Sequence, residues 1–254
     1  LGGPALWTEG KLMSVPILSD AIRSARTRGN DQFNSAVYNR VLEPLGQKTA
    51  LSGRAAVDDV SQKVSNAYDD VLNKINFKPD AQFVQDLNNL SSMAQNLPPK
   101  EANQFTSVLQ REVIEPLTKG QSVDGQTFKT IESQLGNQAQ TFLGSMDGYQ
   151  KNLGNALLEV RKSLRANLMR LNPQYASDLQ NVNSAFSQLT RLQSAAGKVG
   201  ANDGVFTPAQ FSNAVRSGDT TVRKNAYARG NALMQDLSDA GRASMMRPIP
   251  NSGT

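Results

Sequence analysis

Side chains that could catalyse a reaction are scarce in this sequence, because its 254 residues include no Cys and no His. Thiol nucleophiles, disulfides, zinc clusters and imidazole bases are therefore excluded. Any catalysis would depend on carboxylates, on Lys or on a Ser–Lys pair. The composition favours an assembly or binding module over an enzyme.

The pair Glu132-Ser133 is the best candidate for catalysis. A Glu-Ser pair on a helix is part of the lytic transglycosylase pattern, in which the Glu is the general acid that cleaves a glycan. That pattern also needs a Gly-Leu-Met-Gln element soon afterwards. The nearest match, Ala-Leu-Met-Gln at 232–235, comes about a hundred residues later. Glu132 also fits the polar face of its predicted helix, so a peptidoglycan-degrading module is the least favoured alternative.

Acidic doublets and a glycine-rich stretch are the other candidates for ligand binding. Asp58-Asp59 and Asp69-Asp70 lie on one predicted helix, and no loop beside them supplies the oxygen cage of a calcium site. The stretch Val199–Val205 lacks the Lys-Ser/Thr of a phosphate-binding loop. We therefore predict no catalytic residue, no bound metal and no cofactor.

Basic side chains are concentrated in the last hundred residues. Residues 155–254 hold 12 Lys and Arg against 6 Asp and Glu, whereas residues 1–154 hold 15 against 16. The basic residues that follow helical spacing or cluster near the C-terminus are Arg161, Lys162, Arg165, Arg216, Arg223, Lys224 and Arg229. Such rows can follow a phosphate backbone without reading bases, which predicts non-specific contact with DNA. The alternative is a mildly basic, solvated surface.

Apolar residues spaced three and four apart predict helices along nearly the whole chain, and strand patterns are nearly absent. Breaks are expected at Gly29, at Pro44–Gly46 and at Pro98-Pro99. A capping box at Thr207–Gln210 starts a short helix, and a last helix runs from Asp219 or Thr220 to Gly241. The fold class predicted is all-α, a multi-helix bundle of about eight to ten helices.

The strongest apolar stripe follows residue 127 and has heptad-like spacing. Its central members are Met146, Tyr149, Leu153, Leu157, Val160 and Leu164. Of Gly144, Gly148 and Gly154, we expect one to mark a break or a close helix contact. A second long helix, at about 175–199, is predicted to pair with the first as an antiparallel hairpin. The stripe is then internal core, a docking surface for a second copy of the chain, or both.

Helix length suggests a division of the chain near residue 125. Residues 1–125 form a part with shorter helices, residues 126–247 hold the long hairpin and the basic C-terminal part, and residues 248–254 read as a linker. No run approaches the ~18 apolar residues of a membrane helix. A start at Leu1 without an initiator Met predicts a piece of a longer protein.

Several segments resemble parts of large phage and prophage virion proteins. They are Ala5-Leu-Trp-Thr-Glu-Gly10, Tyr38-Asn-Arg-Val-Leu42, Gly204-Val-Phe-Thr-Pro-Ala-Gln210, Ala228-Arg-Gly-Asn-Ala-Leu-Met-Gln-Asp-Leu237 and Pro250-Asn-Ser-Gly-Thr254. The resemblance spans nearly the whole chain and points to internal virion, or ejection, proteins of short-tailed phages. Its motifs are structural, and no catalytic residue is carried over with them.

Membership of that class implies a particular set of partners and locations. Ejection proteins are stored in the capsid near the portal, leave before the genome and reassemble in the host envelope as a conduit for DNA. The resemblance therefore implies a homo-oligomer in contact with the portal or with other ejection proteins, non-specific contact with DNA, and passage from the virion to the host periplasm. The alternative is a static structural or scaffold component of the virion.

Overall fold

The computed structural model describes residues 16–120, 122–198 and 203–246, with side chains from residue 27 onward except those of Val222 and Met246. The predicted linker at 248–254 and the segment Ala5–Gly10 lie outside the described residues. The described residues are helical over most of their length, which confirms the all-α prediction.

The helices are numbered in chain order. They are α1 (Pro16–Leu42), α2 (Gly53–Leu72), α3 (Ala81–Ala94), α4 (Pro99–Leu109), α5 (Glu115–Thr118), α6 (Gly125–Leu143), α7 (Gly148–Leu171), α8 (Ala176–Ala196), α9 (Pro208–Gly218), α10 (Asn225–Ala228) and α11 (Gln235–Met246). A π-helical turn, Gln110–Ile114, joins α4 to α5. Two short strands, β1 (Asn76–Phe77) and β2 (Val123–Asp124), pair antiparallel.

The chain divides into two compact units. The first unit is residues 1–65 and 181–254, and the second unit is residues 66–180. Residue 125, where helix length suggested a division, lies inside the second unit. It does so because α7, which follows it, packs against α3 and α4, which precede it, and the backbone of Gly125 packs against Leu72. The compact units therefore do not coincide with the division based on helix length.

Aromatic and branched aliphatic residues form the core of the first unit. Its members come from α1, α2, α8, α9 and the segment before α9, and include Phe33, Val37, Val41, Val60, Val64, Leu189, Leu192, Phe206, Phe211 and Val215. The rings of Phe33 and Phe206 meet edge to face with centroids 6.3 Å apart. Burial of these side chains is the main force that stabilises the unit.

Two asparagines of α1 connect the helix to loop backbone in the first unit, Asn34 to a distant segment and Asn39 to the loop that follows the helix. Asn34 donates to the carbonyl of Phe206 at 2.7 Å and accepts from its N–H at 3.1 Å. Asn39 accepts from the N–H of Thr49 at 2.9 Å and donates to its carbonyl at 3.3 Å. A carboxamide carries one donor group and one acceptor, so it can pair with both the N–H and the carbonyl of one residue. Each carboxamide thus satisfies the backbone groups that a neighbouring strand would satisfy in a sheet.

The second unit is built around α7, whose apolar face lies against α6, α3 and α4. The ring of Phe77 in β1 packs on Phe83 and Phe128, at centroid distances of 5.7 and 5.2 Å. Asn167 of α7, fully buried, donates to the Lys78 carbonyl at 3.1 Å and accepts from the Asp80 N–H at 2.9 Å. It is a third asparagine that pairs with backbone on two sides.

The hairpin that fills the apolar face of α7 is formed with α6, not with the helix at 175–199 as predicted. Helix α6 ends at Gly144 and α7 starts at Gly148, so the connection is short and the helices are antiparallel neighbours. A Cβ atom at Gly154 would lie 2.9 Å from the Ala139 carbonyl and 2.8 Å from Leu143 Cγ. Gly154 therefore marks the close helix contact expected of one of the three glycines, and Gly144 marks the break.

The predicted helix boundaries at prolines agree with the structure, whereas those placed at two glycines are wrong. Helix α1 continues through Gly29, and α11 continues through Gly241. At 241 the missing side chain leaves room for the ring of Phe33. The predicted last helix is interrupted before α11, since Gly230 and Met234 both adopt positive φ, at 78° and 65°.

Candidate nucleic-acid interface

The loop that follows α9, residues 218–229, is organised by the carboxylate of Asp219. One oxygen accepts from the Thr221 N–H at 2.8 Å and from the Thr221 hydroxyl at 2.7 Å. The other oxygen accepts from the Tyr227 N–H at 2.9 Å. The hydroxyl of Thr221, with these backbone N–H groups, holds the pKa of Asp219 below its ordinary value. The only carboxylate in this loop is therefore directed inward and ionised.

Lys224 closes the same loop on the C-terminus of α9. Its Nζ donates to the carbonyl of Ser217 at 3.2 Å and to the carbonyl of Asp219. A cation at this position complements the unpaired carbonyls of the helix end. Arg223 and Lys224 both adopt positive φ, 56° and 55°, a conformation that non-glycine residues rarely take unless their surroundings impose it.

Neighbouring helices of the first unit hold the loop from two further directions. Arg191 of α8 donates to the carbonyl of Gly218, and partial burial lowers the pKa of its guanidinium. The hydroxyl groups of Tyr227 and Ser212 are hydrogen-bonded at 2.8 Å. The backbone carbonyl of Tyr227 accepts a hydrogen bond from the Gln235 side chain at 2.9 Å. The loop is thus fixed by side chains of α8, α9 and α11.

Three arginines point outward from this fixed loop and its flanks. Arg216, Arg223 and Arg229 are exposed and form no ion pair within the part of the chain that the structure describes. Residues 216–229 hold four cations and one carboxylate, a net charge of +3. We call these three arginines with Lys224 the basic loop. Its geometry suits contact with phosphate groups, which needs positive charge and reach but no sequence-specific partner.

The other predicted basic group, on α7 in the second unit, is largely engaged within the protein. The Nε atoms of Arg161 and Arg165 both donate to one oxygen of Glu132, Arg161 at 3.3 Å. Lys162 is exposed and lies 3.5 Å from Glu159. Contact of these residues with DNA stays a prediction, and only Lys162 resembles the solvated cation that helical spacing suggested.

Glu132 is buried, with 4% of its surface exposed, so its expected position on the polar face of α6 is wrong. Burial is possible because two guanidinium groups compensate one oxygen and the Tyr68 hydroxyl donates to the other at 3.3 Å. Burial, followed by the charge of Glu132, raises the pKa of Tyr68, which keeps its proton. Gln235, in the segment compared with Gly-Leu-Met-Gln, bonds to the Ala232 N–H at 3.0 Å and the Tyr227 carbonyl. Both residues therefore have structural partners.

The heptad-like stripe is divided between core and surface. Leu153, Leu157, Val160 and Leu164 are fully buried inside the second unit, whereas Met146 is 100% and Tyr149 is 55% exposed. The change follows from geometry, since Met146 lies in the turn before α7 and Tyr149 in its first turn, beyond the reach of the α6 contact. The four buried members are core.

Sequence reasoning missed the role of Asp219, which it considered only as a residue that could start the last helix. The signal in the sequence is Asp219-Thr-Thr221, in which a short acidic side chain can bond to backbone two residues on. Tyr227, eight residues away, carries no local signal for its bond to the same carboxylate.

Membrane and metal sites are limited by two observations on the described residues. None of the described helices is both long and apolar enough to cross a membrane. In the same residues no group of three or more acidic side chains is placed to hold a metal ion.

The fold and the basic loop define a helical protein with a structured, positively charged surface. Comparison of the chain with models of protein families, with curated proteins and with solved structures gives no match.

Proposed function

We propose that this chain is a module of an internal virion, or ejection, protein of a short-tailed bacteriophage, which self-assembles and helps to form a conduit for the genome. The resemblance of its segments to virion proteins supports the proposal, as does an architecture made of helix faces. In this proposal the chain is stored in the capsid beside the portal or other ejection proteins. It then moves to the host periplasm and cell envelope.

The basic loop is the observation that carries the proposal. A protein that lies along a passing or packaged genome needs cations that meet phosphates without holding to one sequence. Arg216, Arg223 and Arg229 meet that need because they are exposed and lack internal ion pairs within the described residues. The backbone of their loop is fixed by Asp219, so little backbone entropy is lost when they bind.

Self-association is proposed on surfaces other than the heptad-like stripe. Its four central residues are buried within one chain and are not free to dock on a second copy. Sedimentation velocity of the longest soluble form, at concentrations approaching those inside a capsid, measures the oligomeric state. A strictly monomeric protein under those conditions would remove the ring from the proposal.

Titration with a mixed-sequence DNA duplex tests the DNA contact. Fluorescence anisotropy at a series of salt concentrations gives the slope of log K against log salt. Replacing Arg216, Arg223 and Arg229 together by Gln is expected to reduce the steepness of that slope by about 2.7, at about 0.9 per phosphate. Two duplexes of unrelated sequence should bind equally.

A variant with the same loss of charge elsewhere provides the matched control. Lys74, Lys100 and Lys151 are exposed and lie in the second unit. Their joint replacement by Gln should leave the slope within about 1 of the original. Equal effects of the two triple variants, or no binding of duplex at low salt, would contradict the assignment of the basic loop.

Release of the genome separates ejection from a static role in the virion. Mass spectrometry of particles before and after DNA release is expected to show that the protein leaves with the genome. A protein retained in full by empty particles would be a structural or scaffold component. The enzyme alternative is disfavoured because both carboxylate oxygens of Glu132 accept hydrogen bonds from neighbouring side chains. A peptidoglycan-cleaving activity that is present in the original protein and lost in Glu132→Gln would favour the enzyme alternative again.

A further inference from the structure

Arg161 and Arg165 are held together by a single carboxylate oxygen in the second unit. They lie one helical turn apart on α7, and their Nε atoms donate to the same Oε1 of Glu132 on α6. Two like charges approach each other in this way only where an anion compensates them. One carboxylate offsets one of the two positive charges, so the cluster keeps a net positive charge.

The orientation of Arg161 is also set by the backbone of α6. A Cβ atom at Gly136 would lie 3.3 Å from both Cζ and Nη1 of Arg161. The guanidinium therefore occupies the space that a side chain at 136 would fill, one turn after Glu132. The frame beneath it is rigid, because Leu135 on α6 and Leu157 and Leu164 on α7 are fully buried.

Both guanidinium groups belong to side chains that solvent reaches in part. The Arg161 and Arg165 side chains are 29% and 42% exposed, and their Nη atoms form no hydrogen bond within the described residues. Each group thus keeps Nη donors that no internal acceptor uses among the described residues, and guanidinium groups favour the oxygens of tetrahedral anions such as phosphate.

We propose that Arg161 and Arg165 together bind one phosphate group through their free Nη donors, with buried Glu132 holding the two guanidinium groups side by side. The proposal deepens the DNA contact proposed above and rests on it for the source of the phosphate, a phosphodiester of DNA. The site itself is defined by the phosphate chemistry alone. Arg161 and Arg165 are then a positioned pair and not two independent surface cations.

Nitrogen-15 NMR of the arginine Nε–H groups tests the site on the unaltered protein. Inorganic phosphate, added against chloride at constant ionic strength, is expected to shift the signals of Arg161 and Arg165 saturably. Arg170 is the internal reference, because its Nε and Nη2 donate to Asp80 at 2.8 and 2.9 Å. If the two signals move no more than that of Arg170, the proposal is overturned.

A pair of variants with equal charge loss tests the same point by affinity. Arg165→Gln is expected to weaken phosphate binding about tenfold, as the loss of one charge-assisted contact would. Lys151→Gln, on the exposed side of the same helix, should change it by less than about twofold. Equal effects would overturn the proposal, since they would indicate general electrostatic attraction.

A DNA duplex distinguishes failure of the site from failure of its proposed source. Duplex that shifts the same two signals supports DNA as the source. Inorganic phosphate that shifts them while duplex does not would support the site and overturn the DNA source. In a third outcome, duplex binds through the basic loop, but neither duplex nor inorganic phosphate shifts the signals of Arg161 and Arg165. The proposed DNA contact would then stand, and the phosphate site would be overturned.

Discussion

Asn34 and Phe206 exchange two hydrogen bonds across 172 residues of chain, one from the Asn34 carboxamide to the Phe206 carbonyl and one from the Phe206 N–H to the carboxamide. Both residues are buried, Asn34 at 2% and Phe206 at 1% exposure. The pairing places the segment before α9 on α1 and lets the Phe206 ring enter the core of the first unit.

Replacement of Asn34 by Ala should lower the free energy of unfolding of the first unit by about 3 kcal/mol. Two buried backbone groups of Phe206 would lose their partners, at about 1–3 kcal/mol each. Urea denaturation gives the difference. Gln32→Ala, at an exposed position of the same helix, is the control and should stay within about 0.5 kcal/mol of the original. Similar values for the two variants would rule out a stabilising role for the Asn34 pairing.

Gly154→Ala should destabilise the second unit, although Ala favours a helix over Gly by about 1 kcal/mol. The added Cβ would meet the Ala139 carbonyl at 2.9 Å and the Leu143 backbone nitrogen at 3.0 Å, neither of which can rotate away. Overpacking of this kind costs about 1–3 kcal/mol. Gly148→Ala is the matched change, because open space surrounds that position. Thermal unfolding gives the melting temperatures of the two variants. A higher melting temperature for Gly154→Ala than for Gly148→Ala would contradict the close helix contact at Gly154.

Asp80→Asn should reduce stability at neutral pH and have little effect in acid. Two hydrogen bonds from Arg170 hold the pKa of Asp80 below its ordinary value. A carboxyl with a lowered folded-state pKa stabilises the protein above its unfolded value of about 3.9, and that contribution is lost as the pH falls through the folded-state pKa. Asn keeps the N-cap bond to the Phe83 N–H, so the change removes the charge and one hydrogen bond from Arg170 without uncapping α3.

The measurement for Asp80 is the free energy of unfolding from pH 7 to pH 3. The gap between the original protein and Asp80→Asn should be constant near neutral pH and should narrow as the pH falls below about 3.9. Asp70→Asn is the control, because Asp70 is exposed and forms no ion pair among the described residues. A gap that stays constant with pH would show that the Arg170 pair does not stabilise through its charge.

Glu132→Gln should destabilise the second unit by about 2 kcal/mol, the range for a hydrogen bond to a charged group. The guanidinium groups of Arg161 and Arg165 would then face each other without the anion that joins them. Adding Arg165→Gln to this variant should recover part of the loss, which a double-mutant cycle measures. Glu115→Gln, exposed on α5, serves as control. If the loss of stability in the double variant equals the sum of the losses in the two single variants, Glu132 and Arg165 are not energetically coupled.

Helix positions could be predicted from the sequence wherever proline or a capping pattern fixes the backbone. Pro99 starts α4, Asp80 caps α3, and Thr207 with Gln210 forms the capping box predicted for α9. Glycine was a weaker guide. Gly29 costs a helix only about 1 kcal/mol, which the rest of α1 can offset, so the helix continues through it.

Pairings between elements could not be predicted with the same success. The short connection before the helix at 175–199 suggested the wrong hairpin, since α7 has α6 as an equally close neighbour in sequence. The cations of the candidate sites were found by spacing, but their state depends on distant partners. Arg161 and Arg165 have Glu132, about thirty residues away, whereas Arg216 and Arg229 have no such carboxylate among the described residues. Local periodicity carries no information about such partners.

The contacts that Asn34, Asn39 and Asn167 make with loop backbone share one physical property, which is that neither partner carries a charge. Counter-ions screen interactions between ions but hardly affect a bond between a carboxamide and an amide. These bonds are also independent of pH, because carboxamides neither gain nor lose a proton in the pH range in which proteins are folded. Loops attached in this way keep the same anchorage in dilute buffer, in concentrated salt and beside a densely charged polymer.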